Sequence, residues 1–268
     1  MSIKLSDLYV IMVTYNTSCQ DSLTYKNLKT INGLNLIVCD NSTNVAIKKE
    51  NEQLSQSDNF KYIDMGGNKG LSKAYNKAIG YIEKSPDKFI CLFDDDTSIN
   101  EEYFNKLLNN LNKNHADIYL PIVLSLERIM SPCLLKKDRC IVVKSLNQLK
   151  GTLSGINSGM VINASVYQDY KYNENLFLDY IDHDFMRSMN EKKKKVFVMY
   201  DIVIHQNFSM ESNDVDSSYK RMMFLKHDFK EFYKDNKLMY FYILTMYKYV
   251  MIKKYKKLKF LFIKNIKL

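Results

Sequence analysis

The feature that most constrains this chain is a regular alternation of short apolar runs with helix-like stretches through its first half. Leu8–Val13, Leu36–Cys39, Tyr62–Met65 and Phe89–Phe93 read as strands. Asp21–Ile31, Val45–Leu54, Lys73–Glu83 and Glu101–Asn112 read as the helices that follow them. Parallel strands need a crossover long enough to hold a helix, so this rhythm predicts a mostly parallel, doubly wound α/β sheet. At 268 residues the chain can bury one full α/β core with length left for a tail.

The second half is less regular. Ile118–Val123, Ile141–Val143 and Val196–Ile204 read as strands, with a polar, loop-like stretch at Gly151–Asn163. A helix over Ile181–Glu191 precedes Lys192–Lys195, which reads as its solvated end. After Ser217 the chain turns helical and aromatic, and from Leu238 to Leu268 it alternates Tyr, Phe, Ile, Leu and Met with lysine. The formal charge is +9, and the stretch from Lys237 onward, rich in lysine and free of acidic residues, accounts for that excess. The body is therefore near neutral, which removes the main support for a nucleic-acid binder. The tail suits a basic amphipathic helix on an anionic membrane surface, a dimer contact, or a helix packed on its own domain.

Cysteine usage points to a reducing setting. The five cysteines are scattered and none forms a C-x-x-C pair, so zinc-ribbon and thioredoxin readings have no footing. Cys39 and Cys91 sit inside apolar runs and read as core. No signal-peptide pattern opens the chain, and no apolar stretch reaches the roughly 18 residues of a membrane span. The expected location is the cytoplasm, or the inner face of the cell membrane if the tail binds there.

Polar clusters stand at the carboxyl end of each early strand, where open α/β sheets bind ligands. They are Thr14-Tyr15-Asn16, Asp40-Asn41-Ser42, Gly66-Gly67-Asn68-Lys69-Gly70 and Asp94-Asp95-Asp96. In succession along one edge they point to a nucleotide-sized ligand. Adjacent carboxylates repel one another unless a cation neutralises them, and hard oxygen ligands suit Mg²⁺ or Mn²⁺, which also bridge a diphosphate. The other reading of the triplet is an acidic lead into a helix N-terminus. A second acidic cluster, Asp179-Tyr180-Ile181-Asp182-His183-Asp184, offers either a helix cap or a general base. His205, at the end of the last strand, is either structural or a neutral imidazole ligand to a metal.

Taken in order, these motifs resemble the inverting glycosyltransferases of family 2, over about Leu8 to Asn207. The carrying pieces are Val-Thr-Tyr-Asn at 13–16, Val-Cys-Asp-Asn-Ser at 38–42, Gly-Asn-Lys-Gly-Leu-Ser-Lys-Ala-Tyr-Asn-Lys-Ala at 67–78 and Phe-Asp-Asp-Asp at 93–96. Asn-Ser-Gly-Met at 157–160, Leu-Asp-Tyr-Ile-Asp-His-Asp-Phe at 178–185 and His-Gln at 205–206 continue the series. The resemblance implies a GT-A fold, Rossmann-like with a mixed second half, over 1–215. It divides into a nucleotide-binding half (1–115) and an acceptor half (116–215), followed by a helical region at 216–268. It also implies a hexosyltransferase that moves sugar from a UDP- or dTDP-sugar to a glycan or lipid-linked acceptor, with Mn²⁺ or Mg²⁺. The branch it looks most like contains bacterial rhamnosyltransferases and galactofuranosyltransferases of surface polysaccharides.

Residue by residue, the resemblance puts Thr14, Tyr15 and Asn16 in the nucleotide pocket and Asp40 facing the base. Gly67, Asn68 and Gly70 let the backbone approach the nucleotide-sugar, with Asn76 on the next helix. Asp94 reaches the ribose or sugar, Asp95 stands beside it, and Asp96 and His205 ligate the metal. Asp182 is the base, His183 and Asp184 are acceptor-side candidates, and Asn157, Ser158 and Gly159 form the floor between donor and acceptor. Family members often carry Glu-Asp where this chain has Ile181-Asp182, which keeps Asp184 as a second candidate base. With no tryptophan, an aromatic sugar platform falls to Tyr180, Phe185 or another Tyr or Phe. Two other readings are a nucleotide-sugar-binding subunit without catalysis and a sugar-1-phosphate nucleotidyltransferase. The latter is expected to carry a glycine-rich basic loop where this chain has Thr14–Ser18.

Overall fold

A computed structural model describes residues 2–136, 138–206 and 214–266. The chain builds β1 (Leu8–Thr14), α1 (Leu23–Leu28), β2 (Asn35–Asp40), α2 (Val45–Ser57), β3 (Lys61–Asp64), α3 (Leu71–Ile79), β4 (Phe89–Asp94) and α4 (Glu101–Lys113). There follow β5 (Ile118–Ser125), β6 (Arg128–Ser131), β7 (Cys133–Lys136), β8 (Arg139–Ile141), β9 (Leu153–Ser154) and β10 (Val161–Asn163). The last elements are α5 (Ile181–Glu191), β11 (Val196–His205), α6 (Val215–Phe232) and α7 (Lys237–Tyr255).

The main sheet runs β11-β5-β10-β4-β1-β2-β3, with β6 paired to β5. β1 is parallel to both β2 and β4, β2 to β3, and β11 to β5. β10 runs antiparallel between β4 and β5, so the sheet is mostly parallel with a mixed second half, as the strand rhythm and the resemblance together imply. Because side chains alternate across a strand, β1 and β4 feed two cores. Ile11, Val13, Ile90 and Leu92 pack with residues of α3, α5, α6 and α7, while Leu8, Val10, Cys91 and Phe93 pack with those of α4. Helices on both faces leave the strand ends at one edge as the place where polar residues can converge. Several helices open on a polar side chain that accepts a first-turn N–H: Ser22 for α1, Asn44 for α2, Asn100 for α4, Asp214 for α6 and Asn236 for α7.

Three expectations need correction. Gly151–Asn163 is not a plain loop: it contains β9, and β10 at the heart of the sheet. The polar run Asn157-Ser158-Gly159 masks β10, whose three residues are buried on both sides. The strand expected at Ile141–Val143 ends at Ile141 and begins at Arg139, and β6 and β7 precede it. β7, β8 and β9 form a separate antiparallel sheet. Phe185 is no sugar platform: it is fully buried against Tyr167, Tyr170 and Tyr172. Lys192–Lys195 runs beyond the end of α5 toward β11, and Lys192 and Lys194 pair with Asp169 and Asp117. Cys39 and Cys91 are buried, as their apolar neighbours suggest. Among the described residues, no helix is long and apolar enough to cross a membrane.

Candidate active site

The polar strand ends are cross-linked into one rim. Asn16, in a left-handed conformation (φ 54°), accepts from the Thr43 and Asn44 N–H groups, and its own N–H donates to Ser42 Oγ. Asn41 Oδ1 accepts from Lys69 N–H at 3.1 Å, and its amide donates to Gly70 O. The aspartate loop is pinned from α1: Ser22 Oγ donates to Asp95 O at 2.6 Å and Thr24 Oγ1 to Asp94 O at 2.5 Å. These bonds satisfy backbone N–H groups and part-buried carbonyls that would be costly to leave unpaired.

Within this rim lies a cavity of about 440 Å³, lined by Thr14, Tyr15, Asn41, Asn68, Gly70, Asp94 and Asp95 among others. Its volume falls in the range of small-molecule and cofactor pockets. The opposite wall comes from the chain's far end: Phe177 and Leu178 before α5, and Ser217, Lys220, Arg221 and Phe224 on α6. Acidic groups therefore face a basic pair across one cavity.

The α6 wall is built in, not appended. Asp228, fully buried on α6, accepts the N–H groups of Phe177, Leu178 and Asp179 at 2.8, 2.9 and 2.7 Å. Phe177 O in turn accepts Leu71 N–H at 2.7 Å, joining this loop to the glycine cluster. A Cβ on Gly70 would stand 2.6 Å from Phe177 O, and Gly70 has φ +84°, so only glycine lets the two segments meet here. Arg221 pairs with Asp179, whose carboxyl burial pushes up to about 7 with the guanidinium opposing the rise.

Electrostatics at the aspartates favour a cation. Asp94 Oδ2 accepts from Ser158 Oγ at 2.7 Å and from Gln206 Nε2 at 3.0 Å. Asp95, which accepts from Thr14 Oγ1, is raised by burial and by its neighbour Asp94. Partial burial, reinforced by the charges of Asp94 and Asp95, pushes the Asp96 carboxyl up to about 6. Carboxylate oxygens suit a hard divalent ion such as Mg²⁺ or Mn²⁺, while among the described residues no three acidic or histidine side chains at these strand ends bring their donor atoms within 4.8 Å of one another. Gln206 Oε1 and Asn157 Oδ1 are buried without a hydrogen-bond partner among the described residues, two further oxygens beside the same strand ends.

Not every residue singled out in the sequence reaches the cavity. Asp40 is fully buried and its oxygens are used by Ser42 N–H, Asn51 Nδ2 and the Tyr62 hydroxyl, so it braces the rim instead of facing a base. Asn76 is bound to Tyr172 and Glu174, and Gly67 lies off the lining with φ +106°. Gly159 has φ +74°, and a Cβ there would strike Ile204 at 2.3 Å, which makes it a packing glycine under the floor. Asp96 and His205 are both exposed at the strand ends. Asp182 is the second residue of α5 and accepts His183 N–H at 2.7 Å; the N-cap is Tyr180, left-handed at φ 63°. Tyr75 is buried with its hydroxyl unpartnered among the described residues, and burial, reinforced by the charge of Asp94, holds that hydroxyl well above its usual range. Asp184 is held by Arg187 at 2.6 Å, and Tyr180 packs edge-on to Phe229 and Phe232.

Sequence reasoning missed Lys220, Arg221 and Asp228. Their signal, basic side chains on the first turns of a helix that also carries a buried aspartate, is visible only once α6 folds back on the sheet. Asn207, the end of the resemblance, lies outside the described residues.

Residues 9–128 match the family model described as glycosyl transferase family 2. That match spans a little under half of the chain. The dTDP-rhamnosyl transferase RfbF of Shigella flexneri is 28% identical over 210 residues, covering 75% of this chain and 66% of RfbF. Among solved structures, S. aureus TarS 1-349 in complex with UDP-GlcNAc superposes with a TM-score of 0.52 at 18% identity, over 83% of this chain and 66% of that one. Mannosyltransferase PcManGT from Pyrobaculum calidifontis, in complex with GDP-Man and Mn2+, gives 0.57 at 11% identity, over 84% and 63%. These likenesses show the GT-A fold. The chain spans just under two thirds of the length of each of these three relatives.

Proposed function

We propose that this protein is an inverting glycosyltransferase of family 2 that moves a sugar from a dTDP- or UDP-sugar to a glycan or lipid-linked acceptor of bacterial surface polysaccharide. The observation that carries this reading is the cavity itself, in which the Asp94-Asp95 edge faces Lys220 and Arg221 across a space sized for a nucleotide. The similarity to a dTDP-rhamnosyl transferase supports the donor class.

In this account Thr14, Tyr15, Asn68 and Gly70 receive the nucleotide, and Asp94, oriented by Ser158 and Gln206, holds the sugar or ribose. Lys220 and Arg221 face the diphosphate and offset the charge that grows on it as it leaves. Asp182 takes the proton of the acceptor hydroxyl, whose oxygen attacks the anomeric carbon from the side opposite the diphosphate and inverts it. Asp96 and His205 would hold Mn²⁺ or Mg²⁺, which supplies Lewis-acid stabilisation of the leaving diphosphate. Acceptor and donor held side by side gain the proximity advantage, on the general scale of roughly 7–11 kcal/mol for well-oriented pairs.

The tail fits a membrane-bound acceptor. α7 buries Leu244 and Met251 inward but exposes Leu238, Phe241, Tyr242, Met246, Tyr249 and Val250, with Lys248, Lys253 and Lys254 among them. An apolar face edged by lysines matches an anionic lipid surface, to which each lysine adds about 1 kcal/mol.

A donor screen tests the reading: thermal shift with UDP- and dTDP-sugars, each with Mn²⁺ or Mg²⁺. A metal-dependent shift with one donor, lost in Asp96→Ala, is expected; no shift with any donor overturns it. Flotation with anionic liposomes should be lost when 237–268 are removed, and equal flotation of both chains would remove the membrane contact.

A further inference from the structure

The described residues contain one group of three metal-ligating side chains whose donor atoms all lie within 4.8 Å of one another: Cys133, Cys140 and His183. It forms where three elements meet. Cys133 opens β7, Cys140 lies on β8 opposite Leu135, two residues from Cys133, so both thiols stand on one face of the hairpin. His183 comes from the first turn of α5. Cys133 is buried, and Cys140 and His183 are partly so.

We propose that Cys133, Cys140 and His183 form a zinc-class metal site that fastens the small β7–β8–β9 sheet to the start of α5. Two thiolates and an imidazole are a soft-to-borderline donor set, which selects Zn²⁺ over the hard Mg²⁺ or Mn²⁺ suited to the aspartate edge. Tetrahedral zinc, with bonds of about 2.3 Å to sulfur and 2.0–2.1 Å to nitrogen, holds its donors roughly 3.5–3.8 Å apart, so only a slight contraction closes this group on an ion. The surroundings are those of a ligating histidine. Ser154 Oγ, on β9, stands 2.8 Å from His183 Nδ1, the kind of outer hydrogen bond that fixes ring orientation. The carboxylate of Asp182 lies 4.0 Å from the same nitrogen and accepts the His183 N–H. An ion here would thus set the first α5 turn, and with it the side chain assigned above as base. The site itself is independent of the sugar-transfer reading, and its ligands are distinct from Asp96 and His205.

Cobalt(II) titration of the reduced, chelator-stripped full chain tests it. The expected result is saturation at one equivalent, with an intense thiolate-to-cobalt charge-transfer band and tetrahedral visible bands, both abolished when Zn²⁺ displaces the cobalt. Cys140→Ser and His183→Gln, each checked for native far-UV circular dichroism, should weaken uptake at least tenfold, while Asp96→Ala should keep the bands. The wild-type titration needs no variant to fold. Absence of a charge-transfer band in the reduced wild-type chain overturns the proposal. So does a band that survives in Cys133→Ser/Cys140→Ser, or a Cys133–Cys140 disulfide that persists in reducing buffer.

Discussion

Removing the Asp228 carboxylate should do more harm than its distance from the strand ends suggests. The side chain is fully buried and accepts three backbone N–H groups, from Phe177, Leu178 and Asp179, at 2.7–2.9 Å. Hydrogen bonds to a charged group contribute about 1.5–3 kcal/mol each, and a donor left buried and unpaired costs about 1–3 kcal/mol. Partial exposure of the loop and local relaxation keep the sum below a simple total. Asp228→Ala is expected to cost about 3–5 kcal/mol, the scale for breaking a buried charged network. Asp228→Asn, which keeps one acceptor oxygen, should cost about 1–2 kcal/mol. Urea denaturation at neutral pH measures both, with an unchanged slope marking a loss of stability and not a changed unfolded state. Because Phe177 and Leu178 line the cavity, nucleotide affinity by calorimetry should fall in the same order. A loss below about 1 kcal/mol for Asp228→Ala would refute the argument that α6 holds the cavity wall through this carboxylate.

Other consequences follow from the same geometry. Gly70→Ala places a Cβ 2.6 Å from Phe177 O at a φ of +84°, a conformation costing of order 1–3 kcal/mol; nucleotide binding should weaken at least tenfold, and unchanged binding would show that the two segments do not need to meet. The Asp96 carboxyl, raised to about 6, holds a proton below that pH and is free to bind a cation above it. Apparent Mn²⁺ affinity should therefore fall roughly tenfold per pH unit as pH drops through this value, while a flat profile from pH 5 to 8 would exclude Asp96 as a ligand. Arg221→Ala should weaken nucleoside diphosphate binding more than nucleoside monophosphate binding; equal losses would place Arg221 away from the diphosphate.

How much of this was legible in the sequence depended on range. β1 to α4 follow from local periodicity, because β1, β2 and β4 are built on apolar runs and α1, α2 and α4 each carry a side-chain cap. β10 is three residues long and is a strand only because β4 and β5 flank it, which no local pattern around Asn157-Ser158-Gly159 reveals. The aspartate run and glycine cluster stand out through residue type alone, and Asn68, Gly70, Asp94 and Asp95 line one cavity. Asp40 looked equivalent to them, but the Tyr62 hydroxyl and the Asn51 amide claim its oxygens, and side-chain pairing across elements is invisible in one dimension. For the same reason Lys220 and Arg221 read as part of a tail until α6 folded over the sheet, and Cys133, Cys140 and His183 read as unrelated.

The central claim is metal-assisted, inverting transfer with Asp182 as base, and the anomeric outcome with water as acceptor tests it most directly. With the donor selected by the screen and Mn²⁺ present, proton NMR of the nascent sugar should show inverted configuration for the wild-type chain. Asp182→Asn should bind donor with the same affinity and release sugar at a rate lower by roughly 10²–10⁴-fold, the scale of a lost general base. Retained configuration, or release by Asp182→Asn at the wild-type rate, would contradict the account.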